Sequence, residues 1–189
     1  QVNPRAGYAA EQEFDREWWA LTYDGKWDFG TLAASLSFVD TQNNGRTLPL
    51  SVSERQLLQQ MYDGTGDYEG ITEEARRDLA EDTFLPRPAR PLESQQYTFD
   101  LRLDIPIQDV VGDHNLVLGT QVIDGELKDG VFGLESGSPG AVQEQKMYSL
   151  FLEDNWSFID DMTVTAGFRY DNHDVFGSQT SPRIYAVYN

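Results

Sequence analysis

An all-β chain is predicted, with antiparallel up-and-down strands forming a segment of a transmembrane β-barrel whose long outer loops contain short helices. Three observations predict it. Apolar and polar residues alternate over stretches close to the roughly 9–11 residues that cross a bilayer as a tilted strand. In "QYTFDLRLDIPIQ" the apolar set is Tyr97, Phe99, Leu101, Leu103, Ile105 and Ile107, with Thr98, Asp100, Arg102 and Asp104 between them. Successive side chains of a strand point to opposite sides, so this stretch has one apolar and one charged face. Aromatic residues gather near strand ends, at Trp19, Trp27, Tyr97, Tyr148, Trp156, Phe158 and Tyr170, where interfacial girdles lie in membrane barrels. Finally, connections alternate between short turns and long links, as barrels with short periplasmic turns and long outer loops require.

The elements follow in chain order. Residues 16–26 and 29–40 form a first hairpin around "WDFG", with Trp19, Leu21, Tyr23 and Trp27 on one side of the first strand and Leu32, Ala34, Leu36 and Phe38 on one side of the second. A long loop, 41–94, comes next. Within it "SERQLLQQMY" places Ser53 and Gln56 in capping-box spacing, and "TEEARRDLAE" offers Thr72 as an N-cap followed by two glutamates, so two short helices are expected. "FLPRPARPL" excludes helix and runs extended back to the sheet. Strands 95–107 and 114–124 make a second hairpin, and 146–158 and 162–171 a third, in which Asp154 interrupts the apolar row of Tyr148, Leu150, Leu152, Trp156 and Phe158. A seventh strand occupies 181–189. Long links are expected at 126–145 and 172–180 as well as 41–94. Seven strands cannot close an antiparallel barrel of even count.

Composition narrows the function. Asp and Glu total 32 against 14 Lys and Arg, for a formal charge of −18, which sets nucleic acid aside as a partner because phosphate binding needs a basic surface. Without cysteine there is no disulfide framework and no thiol metal or redox site. No apolar run approaches the length of a membrane helix, a test that does not bear on strands. Alternation also occurs in soluble sheets, so the rival reading is a lipocalin-like or sandwich binding module whose apolar faces meet each other. In the membrane reading those faces meet lipid, and Asp100, Arg102, Asp104, Glu153, Asn155 and Arg169 face a water-filled lumen.

The third hairpin and its continuation, "YSLFLEDNWSFIDDMTVTAGFRYDNHDVFGSQTSPRIYAVYN", together with "LPRPARPLES" ahead of a strand, resemble the barrel of TonB-dependent outer-membrane receptors, in particular the ferric enterobactin and colicin I receptor group. The resemblance implies a 22-stranded barrel in a Gram-negative outer membrane, plugged by an N-terminal domain, with this chain supplying a middle portion. It implies import of a ferric siderophore of catecholate type, energy delivered by TonB through a plug region that this sequence does not contain, contact with outer-membrane lipid, and docking of colicin or phage as an open question. No intrinsic cofactor is implied; the ferric siderophore is the transported ligand.

A ferric catecholate is an anion whose iron is already fully coordinated, so guanidiniums and aromatic surfaces are the expected contacts, not metal ligands. In loop 41–94 six arginines stand against ten acids, and Arg87 with Arg90, on the proline-rich stretch, is the best local cluster and the candidate ligand-binding pair; the alternative is solvated loop charge. "DGTGDYEG" invites a calcium reading through Asp63, Asp67 and Glu69 but departs from the EF-hand pattern at Thr65 and Tyr68, which favours a polar turn. "DNHD" sets Asp171, His173 and Asp174 together, where the resemblance gives a structural role. No nucleophile elbow, phosphate loop or zinc spacing is present, so no enzyme is expected.

Overall fold

The computed structural model describes residue 2, residues 11–159 and residues 161–188. Asn189, the last residue of the expected seventh strand, and Asp160, in the expected turn of the third hairpin, lie outside them. Among the described residues seven strands form one sheet in strict chain order: β1 (Glu13–Trp27), β2 (Gly30–Asn44), β3 (Leu92–Ile107), β4 (Asp113–Asp129), β5 (Val142–Ile159), β6 (Met162–His173) and β7 (Gly177–Tyr188). Two helices, α1 (Val52–Asp63) and α2 (Glu73–Phe84), stand between β2 and β3. No described helix is long and apolar enough to cross a membrane. The chain divides into two compact units, one of loops (Gln1–Arg16, Thr41–Ser94, Leu127–Gln143) and one of sheet (Glu17–Asp40, Gln95–Glu126, Glu144–Asn189).

In the sheet unit, side-chain parity sorts the residues cleanly. Leu150 opposes Tyr170, Leu152 opposes Phe168 and Trp156 opposes Val164, while Ser149 opposes Asp171, Glu153 opposes Gly167 and Asn155 opposes Thr165. β7 continues the pattern, with Ile184 on Ala166 and Arg183 on Gly167. Much of the polar face is paired within itself. Ser149 Oγ donates to Asp171 at 2.5 Å and receives Arg169 Nη2 at 3.0 Å, Thr165 Oγ1 donates to Asn155 at 2.7 Å, and Gln121 Nε2 donates to Asp100 at 2.7 Å. Ion pairs join Arg183 to Glu153 and Arg102 to Asp104.

The apolar face is uncovered. Leu21 is 68% exposed, Leu150 54% and Ile184 77%, whereas Ser149 and Thr165 on the other face are buried. A sandwich or lipocalin would bury the first set against its own chain and wet the second. The rival soluble reading is therefore not supported. Aromatic rings neighbour one another across that apolar face, Phe38 with Tyr97 at 4.6 Å and Tyr148 with Tyr170 at 6.1 Å.

On the polar face Phe151 lies over Gly119, where a Cβ would run into its ring. A glycine is needed there for the ring to lie flat on the neighbouring strand.

Two expectations are corrected. The link from β6 to β7 is a three-residue turn, 174–176, not a loop over 172–180, because β7 starts at Gly177 and pairs with β6 from Gly177 on His173 through Ser181 on Arg169. Its first residues, "GSQTS", carry no apolar alternation. Backbone pairing alone makes them strand, and the long–short rhythm of connections fails at this position. Most other strands likewise run past the span that hydrocarbon requires, to 15 residues in β2 and 18 in β5.

The second correction concerns α1, whose capping box is Ser51 with Glu54, not Ser53 with Gln56. Ser51 Oγ accepts from Glu54 N at 3.2 Å, and Ser51 N donates to Glu54 Oε2 at 2.7 Å. A carboxylate accepts more strongly than an amide, and Glu54 has a second partner that Gln56 lacks. α2 begins at Thr72, whose Oγ1 accepts from Ala75 N.

Candidate functional site

The loop unit is built around a small core of Leu58, Met61, Ala80 and Phe84, in which the apolar edges of α1 and α2 meet. α1 ends on Gly64 in the left-handed region (φ 67°), and Arg76 from α2 donates through Nη1 to the carbonyls of Met61 and Tyr62 at 3.0 and 2.9 Å. A guanidinium thus answers the carbonyls left open at the end of α1.

Both candidate arginines sit on the proline-rich return, and each is turned into the protein. Arg87 is the more enclosed, with 8% of its side chain exposed. Its Nη1 and Nη2 reach the two carboxylate oxygens of Glu54 at 2.9 and 3.1 Å, Nε donates to Leu48 O at 3.1 Å, and Nη2 donates to Pro49 O at 2.9 Å. The guanidinium beside Glu54 holds that carboxyl below its ordinary range, helped by the Ser51 amide and opposed by burial. One residue therefore ties the return strand, the segment before α1 and the cap of α1 together.

Arg90 grips Asp129 in fork geometry, Nε to Oδ1 at 2.6 Å and Nη2 to Oδ2 at 2.5 Å. Asp129 Oδ1 also accepts from Val131 N at 3.1 Å, and the Arg90 contact is the main reason its carboxyl is held low. Around the pair the backbone closes a short ladder: Arg90 N donates to Arg46 O, Leu48 N to Pro88 O and Gly130 N to Pro91 O. Glu135, in the second outer loop, accepts from Val52 N at 3.1 and 3.2 Å at the start of α1.

Asp129 and Glu135 are the residues that sequence reasoning missed. Nothing local marks them. Asp129 is 39 positions from Arg90, and Glu135 is 83 from Val52.

The remaining motifs resolve into structure. Asp63 accepts from Gln59 at 2.9 Å at the end of α1, and Asp67 lies in a short 3-10 turn, Gly66–Tyr68. Asp171 is held by Arg169 and Ser149, while His173 Nδ1 accepts from Val175 N at 3.0 Å in the β6–β7 turn. Among the described residues no three His, Asp or Glu side chains converge to hold a metal.

Comparison with known proteins decides the family. Residues 2–189 match the family described as TonB dependent receptor-like, beta-barrel. The chain belongs to that family. Among relatives of this TonB-dependent receptor segment is the ferric enterobactin receptor of Pseudomonas aeruginosa, 24% identical over 188 residues, covering 89% of this chain and 21% of that protein. The ferrienterobactin receptor of Escherichia coli K12 is 23% identical, covering 89% and 22%. Solved structures with the same fold include a variant of the P. aeruginosa ferric enterobactin receptor, with TM-score 0.67, 22% identity, and coverage of 93% of this chain and 23% of that one. The siderophore receptor PirA of Acinetobacter baumannii has TM-score 0.66, 22% identity, and coverage of 94% and 23%. This chain thus spans about a fifth of the length of these relatives, which are named as receptors.

Proposed function

We propose that the chain is part of an outer-membrane receptor that imports a ferric siderophore of catecholate type with energy from TonB. The observation that carries the proposal is the match of residues 2–189 to the TonB-dependent receptor barrel, joined to relatives named as ferric enterobactin receptors. The sheet supplies barrel wall, with lipid on the uncovered apolar face and water on the paired polar face. The loop unit supplies outer surface for capture.

In this reading Arg87 and Arg90 serve capture by fixing the shape of the loop. Direct contact of either with the chelate would oblige its guanidinium to share itself between the ligand and Glu54 or Asp129, at a cost in loop order.

The test uses the complete receptor containing this segment. Purified receptor is titrated with a ferric tris-catecholate and with a ferric hydroxamate, and iron uptake is followed in cells with and without TonB. Saturable, selective binding of the catecholate, with uptake abolished in cells lacking TonB, is expected. Equal binding of both chelates, or uptake indifferent to TonB, would overturn the proposal.

A further inference from the structure

The turn between β3 and β4 is strained. Asp109 and Val111 both stand in the left-handed region, at φ 60° and 52°. Aspartate tolerates that region, but a β-branched valine rarely enters it and stays only where its surroundings hold it there. Gly112, at φ 102°, lets the turn lie so close to β5 that a Cβ would meet Ser157 O and the Phe158 backbone. Val110 and Val111 are left exposed at the tip, Val111 by 82%.

Trp156 and His114 supply the hold. Trp156 Nε1 donates to Val111 O at 2.8 Å. His114 Nε2 lies 3.1 Å from Val110 O, and its Nδ1 lies 2.8 Å from Asp154 Oδ2. A carbonyl and an ionised carboxylate only accept, and a neutral imidazole has a single N–H. Both bonds therefore form together only in the imidazolium, which also lies parallel to the Trp156 ring at 5.7 Å. Asp154 Oδ1 is enclosed and has no hydrogen-bond partner among the described residues, so the carboxylate depends on His114 for its compensation. The histidine side chain is 22% exposed, enough to exchange its proton with water.

The other charges around the ring are few. Asp113 flanks it on β4 and accepts from Asp109 N in the turn at 3.2 Å. The last charges of β3, Arg102 and Asp104, pair with each other on the opposite face. On β6 the uncharged Ala166 stands opposite Asp154.

We propose that His114 makes the β3–β4 turn a pH-sensitive clasp: its imidazolium bridges Val110 O and Asp154 and holds the strained turn against β5, and loss of its proton frees the turn. The clasp is complete while both ring nitrogens carry protons, and it opens as pH rises through the histidine's titration. The inference stands apart from the question of which ligand the receptor imports.

The test takes the complete receptor in detergent, labelled with fluorotryptophan, and follows the Trp156 resonance by fluorine NMR from mildly acid to mildly alkaline pH. Loss of the signal in Trp156→Phe identifies it. A nitroxide on Val111→Cys reports the motion of the turn. One transition with a common midpoint is expected: the Trp156 resonance shifts as the imidazole loses its charge, and the label passes from an immobilised to a mobile line shape. His114→Gln, whose amide can still donate to Val110 O, should abolish the transition. Asp154→Asn should lower its midpoint, since an amide does not hold the imidazolium. Heat-modifiable electrophoretic migration reports whether each variant is folded, and the fluorine profile of the unsubstituted receptor decides alone where one is not. A Trp156 resonance or a label indifferent to pH, a transition that survives in His114→Gln, or a midpoint untouched by Asp154→Asn would overturn the proposal.

Discussion

Replacing Arg87 with alanine should loosen the whole first turn of α1. The side chain is 8% exposed and makes two hydrogen bonds to Glu54 and one each to the Leu48 and Pro49 carbonyls. Breaking a fully buried pair by removing one partner costs about 3–5 kcal/mol. Glu54 keeps 34% of its side chain exposed, so water can rehydrate it, and the expected cost falls to about 2–3 kcal/mol. At about 1.4 kcal/mol per factor of ten, amide exchange across residues 48–63 should accelerate about 30- to 150-fold. Hydrogen exchange with mass spectrometry on the complete receptor in detergent reads this directly, with β5 and β6 peptides as the internal control. Glu54→Gln should give a smaller effect, since an amide can still cap the helix but cannot match the guanidinium. The reasoning fails if Arg87→Ala leaves exchange in α1 unchanged, or if β5 and β6 loosen equally.

Two further outcomes follow from the same structure. Glu54 and Asp129 both have carboxyls held below their ordinary range, so their contribution to loop order is complete above that range and is lost as pH falls through the lowered values; loop protection should fall on acidification, and Glu54→Gln combined with Asp129→Asn should flatten that dependence. Gly119→Leu should cost about 1–3 kcal/mol by forcing the Phe151 ring off the neighbouring strand, seen as a lower fraction of heat-modifiable folded receptor, and Phe151→Ala in the same protein should recover most of it.

The strands were legible because two solvents on opposite sides of a sheet force a period of two, and "YTFDLRLDIPI" shows it without help from the rest of the chain. Where hydrocarbon stops, the signal stops. β7 extends back to Gly177, four residues ahead of the expected start at Ser181, through residues chosen by neither solvent. The helices were visible in outline, yet α1 offers two overlapping cap patterns, and the one that forms uses a carboxylate that also pairs with Arg87, 33 positions beyond Glu54. Arg87 and Arg90 stood out as charges, but the acids that claim them are set by the folded loop and not by spacing. The pairing of His114 with Asp154 across 40 positions was illegible for the same reason, although the break that Asp154 makes in its apolar row was plain.

The central claim is that lipid meets one parity of these strands and water the other. Spin labels placed singly along residues 97–107 of the complete receptor in bilayers, with collision rates to oxygen and to a water-soluble nickel chelate, measure this most directly. Labels at 97, 99, 101, 103, 105 and 107 should collide preferentially with oxygen, and those at 98, 100, 102 and 104 should not. Oxygen accessibility without that alternation, or labels at the odd positions shielded from both reagents by protein, would contradict the account.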